Sequence, residues 1–98
     1  MTNTDKIREW AKERNLDKAD PIKQGLKLME EVGELANALI ENNDAEIIDA
    51  IGDCYVVLTI LAMQNGYRIE DCIDCAYDQI KDRKGETKDG VFIKDSDS

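Results

Sequence analysis

Between Cys54 and Met63 ten consecutive residues are apolar with one interruption, Thr59. A helix with hydrocarbon on every side has to be surrounded on every side. The run is too short to cross a bilayer, and no stretch of about 18 apolar residues occurs anywhere in the chain. The surroundings must therefore be protein. With 98 residues the chain has enough material for one domain and too little to wrap such a helix generously. The expectation is a single helical domain over residues 1–98, with 86–98 as a short tail, completed by a homodimer or homotetramer.

The punctuation of the sequence fits helices. There is one proline, and it follows Asp20, an N-cap residue ahead of proline at the first helical position. Four helices are expected: about Thr4 to Arg14, Pro21 to Glu41, Asp44 to Gln64, and Ile69 to Lys84. Asn15 to Ala19 reads as a linker, Asn42-Asn43-Asp44 as a tight turn and cap, and Asn65-Gly66 as a stop. Gly85 is expected to end the fourth helix, whose apolar set Ile69, Cys72, Ile73, Ala76, Tyr77 and Ile80 follows the helical period. A turn at Lys88-Asp89-Gly90, an apolar run Val91-Phe92-Ile93 and a frayed acidic end complete the reading. On the second helix Lys23, Gln24, Lys27, Glu30, Glu31, Glu34 and Asn37 share a polar arc. The apolar arc opposite is wider than one neighbouring helix covers.

Charge is distributed unusually along this frame. From Leu28 to Tyr67 there is no Lys or Arg, yet the same forty residues hold eight acids: Glu30, Glu31, Glu34, Glu41, Asp44, Glu46, Asp49 and Asp53. Like charges at i,i+4, as in Glu30/Glu34 and Asp49/Asp53, destabilise a helix unless something offsets them. In an antiparallel hairpin turning near Asn43, Glu34 and Asp53 lie opposite each other. Glu46, Asp49 and Asp53 form one stripe that runs into Val57 and Ile60. A carboxylate at that junction is costly unless paired or bound to metal. Oxygen-only ligands suit Mg2+, or Mn2+, rather than zinc. The bland alternative is a solvated acidic face.

Other chemistries are excluded or demoted. The net charge of −9 argues against binding a nucleic-acid backbone, though not against a nucleotide whose charge a metal offsets. The absence of histidine removes the usual serine and cysteine triads. Cys54, Cys72 and Cys75 read as reduced thiols, and Cys72-x-x-Cys75 as two small core residues one helical turn apart. The N-terminal residues lack the basic and apolar regions of a signal peptide, so a cytoplasmic location with no membrane contact is expected.

The acidic residues also carry a resemblance. Glu30-Glu31-Val32-Gly33-Glu34-Leu35, followed by Gly52-Asp53, resembles the MazG-like all-α nucleoside triphosphate pyrophosphohydrolases, whose pattern is E-E-x-x-E on one helix and E-x-x-D on the next. Trp10, Gln24-Gly25-Leu26-Lys27-Leu28, the segment Glu46 to Asp53, and Ile80-Lys81-Asp82-Arg83-Lys84-Gly85 are similar as well, so the likeness covers about residues 7 to 94. It implies a four-helix bundle-like fold completed by homo-oligomerisation. The implied reaction splits a nucleoside triphosphate between its α and β phosphates, giving a monophosphate and pyrophosphate.

Carried over residue by residue, the resemblance makes Glu31, Glu34 and Asp53 ligands of Mg2+ with Glu30 beside them, and Glu31 or Glu34 the proton acceptor. Registered on Gly52-Asp53, the Glu of E-x-x-D falls on Ala50, leaving Asp49, or Glu46 a turn earlier, to replace it. Lys27, Lys81, Arg83 and Lys84 are candidate phosphate contacts. Lys27 has the alternative of an i,i+4 pair with Glu31, and the other three that of complementing a helix C-terminus. Trp10 is a candidate base contact or a packing residue. Two rival functions share these features: phosphoribosyl-ATP pyrophosphohydrolase, and an acidic helical regulatory protein without activity. A pyrophosphate-release assay separates them.

Overall fold

The computed structural model describes residues 1–95. Four helices, α1 (Asn3–Glu13), α2 (Pro21–Ile40), α3 (Asp44–Gln64) and α4 (Ile69–Ile80), are followed by two short strands, β1 (Gly85–Lys88) and β2 (Val91–Lys94). The fold is all-α. The expected caps are in place. Thr2 and Asp5 form a capping box at α1. Asp20 accepts a hydrogen bond from the Ile22 N–H at 2.9 Å, with Pro21 at the first helical position. Asn43 accepts from the Glu46 N–H at 3.2 Å. Gly66, at φ 81°, ends α3 in the left-handed conformation that glycine adopts without cost.

The centre of the molecule is the α2–α3 hairpin, with α1 lying on α3. A single 3-10 turn, Leu16–Lys18, occupies the expected linker and is tied to the end of α3 by Gln64 Nε2, which donates to the Leu16 carbonyl at 2.9 Å. The buried residues are mostly small: Ala11, Ala38, Ala50, Ala62 and Thr59, with Val57, Ile60 and Ile69. The apolar run from Cys54 to Met63 is enclosed on most of its circumference: Val57, Thr59, Ile60 and Ala62, spread round the helix, are buried, the others are half-buried, and only Leu58 is exposed.

The helix α2 turns an unexpected side inward. Its buried positions are Glu31, from the polar arc, and Ala38, one residue beyond Asn37 of that arc. Leu28 and Leu35 are half-buried, while Ile22, Leu26, Met29, Val32, Leu39 and Ile40 all face out. Ile48 and Ile51 on α3 are exposed as well. The radius of gyration, 16.0 Å, exceeds the roughly 13 Å of a compact chain of about this length.

Three expectations are corrected at the C-terminal end. The helix α4 stops at Ile80 rather than Lys84. Residues 81–84 instead turn the chain into a ladder in which Gly85 pairs with Lys94 and Lys88 with Val91. Gly85 fits there because any Cβ would run into the Ile93 carbonyl and the Lys94 backbone. The short tail is therefore a β-hairpin, exposed and without backbone contact to another element, and the expected turn at Lys88-Asp89-Gly90 is its tip. The expected frayed acidic end falls on residues 96–98, outside the described residues. Finally, Cys72 and Cys75 are exposed, because α4 packs on α3 and buries only Ile69.

Ionic links fix α1. The Arg8 guanidinium donates to both carboxylate oxygens of Glu70, at 2.7 and 2.8 Å, and to Asp5 at 2.7 Å. These bonds hold the Glu70 carboxyl down at about 2, from an ordinary 4.5. A carboxyl whose folded pKa is depressed stabilises the fold above its unfolded pKa and loses that contribution as pH falls through the folded one. Glu70→Gln should therefore flatten the fall in thermal midpoint between pH 4.5 and about 2. A midpoint-versus-pH curve identical to wild type would refute this.

Candidate metal centre

The inward side of α2 meets the acidic stripe of α3. Glu31 sits at the meeting point, 7% exposed. One of its oxygens, Oε1, lies 3.4 Å from Lys27 Nζ, and the other, Oε2, is buried without a hydrogen-bond partner. Lys27 also reaches Glu30 at 3.5 Å. Both sequence readings of Lys27 are thus compatible with its place, for it pairs with Glu31 and lines the same cavity.

Two cavities share this row of carboxylates. The first, about 540 Å3, has Trp10, Leu16, Val56 and Ile60 among its apolar lining, Asp20, Lys23, Lys27, Glu31 and Asp53 as charged lining, and the amides of Gln24 and Gln64. The second, about 410 Å3, is lined by Glu34, Asn37, Glu41, Glu46, Asp49, Ala50 and Asp53. Asp53 belongs to both. The register that sets Asp53 opposite the α2 acids is the one the molecule adopts, and Asp49 shares the cavity in which Ala50 stands.

The electrostatics record the shortage of cations. Glu34 has its pKa raised, first by the charge of Glu31 and then by burial and Glu30. Asp53 is raised by burial first, then by Asp49 and Glu31. Lys27 is raised by its hydrogen bond to Glu31 and by the charge of Glu30. Among the described residues, no three acidic or cysteine side chains converge into a ready-made ion site. The residues nevertheless fit a hard divalent cation. Every donor is an oxygen, and Glu31 Oε2 has no other partner.

Not every candidate is brought together. Glu30, Glu31, Glu34, Asp49, Asp53 and Lys27 are neighbours on the hairpin. Trp10 borders the first cavity, 46% exposed, with the Arg14 guanidinium 4.2 Å from its ring centre. Lys81, Arg83 and Lys84 lie beyond α4, which makes no close backbone approach to α2, and Lys81 pairs with Asp78 at 3.3 Å. Within one chain these three do not line either carboxylate cavity. Sequence reasoning missed Lys23 and Gln64, which line the first cavity, and gave no role to Glu41, which lines the second. Lys23 was signalled by its i,i+4 spacing from Lys27, and Gln64 by nothing local.

A model of the MazG nucleotide pyrophosphohydrolase domain matches residues 21–87, the stretch that holds the whole carboxylate row. The chain belongs to that family. It is also similar to an uncharacterized 18.2 kDa protein from the rep-hol intergenic region of Haemophilus phage HP1 (strain HP1c1), with 52% identity over 60 residues. That stretch is 60% of this chain and 37% of the phage protein, so the chain spans well under half of that relative. No solved structure matches. Among the described residues of this MazG family member, no helix is long and apolar enough to cross a membrane.

Proposed function

We propose that this chain hydrolyses a nucleoside triphosphate between the α and β phosphates, yielding a nucleoside monophosphate and pyrophosphate. The observation that carries the reading is Glu31: a buried carboxylate, one oxygen unpartnered, inside a row of acids that borders a cavity of nucleotide size. Glu31, Glu34 and Asp53 hold Mg2+, or Mn2+ in its place, with Asp49 as the fourth carboxylate and Glu30 beside them. The bound ion offsets phosphate charge and makes a water molecule more acidic.

The chain's own groups do the rest. Lys27 contacts phosphate at the charged end of the first cavity, and Trp10 borders the sugar and base at the other. Glu34, which lines the second cavity beside Asp53, is the proton acceptor of this reading. The water oxygen bonds to phosphorus, its proton passes to the Glu34 carboxylate, the bridging P–O bond breaks, and pyrophosphate leaves with that electron pair. Charge complementarity supports a second copy as the source of more phosphate-binding groups. Residues 81–94 carry five bases against three acids, whereas residues 28–67 carry no base. We place Lys81, Arg83 and Lys84 of one subunit at the site of another, in a homodimer or homotetramer.

The test is pyrophosphate release across a panel of nucleoside triphosphates with Mg2+ present. Release from none of them overturns the reading. Binding of the ion is checked separately by thermal denaturation. A ligand at a hundred times its Kd adds about 2.7 kcal/mol, and a domain of this size gains about 4–8 °C per kcal/mol. Saturating Mg2+ should thus raise the midpoint by about 10 °C or more. Equal midpoints in Mg2+ and Na+ at matched ionic strength would remove the metal from the proposal.

A further inference from the structure

Glu31 uses its two oxygens unequally. Oε1 lies 3.4 Å from Lys27 Nζ, while Oε2 is buried without a hydrogen-bond partner. The residue is 7% exposed, and a charge that deep in a protein needs a counter-charge or a ligand. Lys27 supplies the counter-charge from one helical turn away. The same Nζ lies 3.5 Å from Glu30, whose side chain is exposed. Neither distance reaches the roughly 2.7–2.9 Å of a strong charge-assisted hydrogen bond. Arg8, by contrast, grips Glu70 at 2.7 and 2.8 Å. The Lys27 ammonium is thus shared loosely between a buried carboxylate and an exposed one, beside a cavity that its own side chain lines.

We infer that Lys27 is the exchangeable counterion of the metal-free centre: it holds the buried Glu31 until a divalent cation replaces it there, and is then released to the phosphates of the nucleotide. The inference rests on the hydrolase reading for the incoming ligand, and it adds an order of binding, metal before nucleotide. Charge counting gives the reason. Lys27 already neutralises Glu31, and an ammonium beside a divalent cation on the same carboxylate is repelled, the more so where protein replaces water. The way out is short. Glu30, exposed, keeps the ammonium on the row, and the flexible four-carbon stem lets Nζ turn into the cavity. There a compact charge with three rotatable donors suits phosphate oxygens. While it stays between two carboxylates, the same charge is already matched and has little attraction left for phosphate.

Two measurements on the full chain test the exchange, and neither needs turnover. The first is Mg2+ affinity by calorimetry at fixed ionic strength. Lys27→Met removes the ammonium and keeps an unbranched stem, and it should tighten Mg2+ by about tenfold. Lys27→Arg keeps the charge and should stay within about twofold of wild type. Lys23→Met removes an equal charge from the same cavity without touching the Glu31 pair, and should also stay within about twofold. The second uses wild-type protein alone. Acetylation of Lys27 by an N-hydroxysuccinimidyl ester, read by mass spectrometry, should be slow without metal, severalfold faster with saturating Mg2+, and slow again when inorganic tripolyphosphate is added at excess Mg2+. Unchanged or weaker Mg2+ binding in Lys27→Met, an equal gain in Lys23→Met, or a Lys27 acetylation rate that ignores Mg2+ would overturn the exchange. No protection by tripolyphosphate would overturn the transfer to phosphate. Pyrophosphate release by a chain that fails these tests would leave the hydrolase reading standing, whereas the expected exchange in a chain that releases none would sink that reading and keep Lys27 as the counterion.

Discussion

Glu34→Gln and Asp53→Asn are each expected to lower pyrophosphate release with Mg2+ by at least about a hundredfold, the scale on which removing one preorganised charge-stabilising group acts. The amide keeps the shape of the side chain and removes its charge, so the loss reports ligation rather than packing. Stability of the metal-free protein should move the other way. Both carboxyls have raised pKa values because neighbouring acids and burial disfavour their charge. A neutral amide relieves that repulsion, and the thermal midpoint without metal should hold or rise. Asp49→Asn decides whether four carboxylates are needed: a loss as severe as for Asp53 makes Asp49 the replacement for the glutamate missing at Ala50. Glu41 now belongs in the same series, since it lines the cavity with Glu34 and Asp49. Near wild-type turnover in Glu34→Gln and Asp53→Asn would refute the site.

The second large effect concerns assembly. At micromolar concentration the protein should scatter light as a dimer or tetramer of the 11.1 kDa chain. Leu26 and Leu39 lie on the outward stripe of α2, 63% and 54% exposed in the single chain. Burial of one leucine contributes about 1.5–3 kcal/mol. Leu26→Asp with Leu39→Asp should therefore dissociate the assembly and lower the midpoint strongly, whereas the same change at exposed Lys12 should do neither. A stable wild-type monomer would end the idea that the stripe is a subunit interface.

Much of this architecture was legible in the sequence because its signals are local. Asp20-Pro21, Asn43 and Gly66 each fix a helix end through their own backbone chemistry, and each end is where it was expected. The meeting of Glu34 with the α3 acids followed from counting out from a tight turn. What was missed depends on partners distant in sequence. Lys81 to Lys84 have ordinary helix propensity, and the strand pairing Gly85 to Lys94 that ends α4 is invisible to a helical period. The inward side of α2 was misjudged because a wheel ranks faces by polarity. In this chain the face toward α3 is chosen by the carboxylates, and the apolar face is left outside. Gln64 carries no periodic signal at all, and it is held at the first cavity by the carbonyl of Leu16, 48 residues earlier.

The outward apolar face of α2 also changes what a tolerated substitution looks like. In most small domains, solvent exposure in the isolated chain tells which positions accept change. Under the proposed assembly the ordering reverses, because a second subunit would cover the stripe. Ile22, Leu26, Met29, Val32 and Ile40, all at least half exposed, become the constrained positions of the helix. Inherited variation among copies of this protein would then be confined where a single-chain view finds the most freedom, and two lineages could diverge into partners that no longer recognise each other by altering that stripe alone.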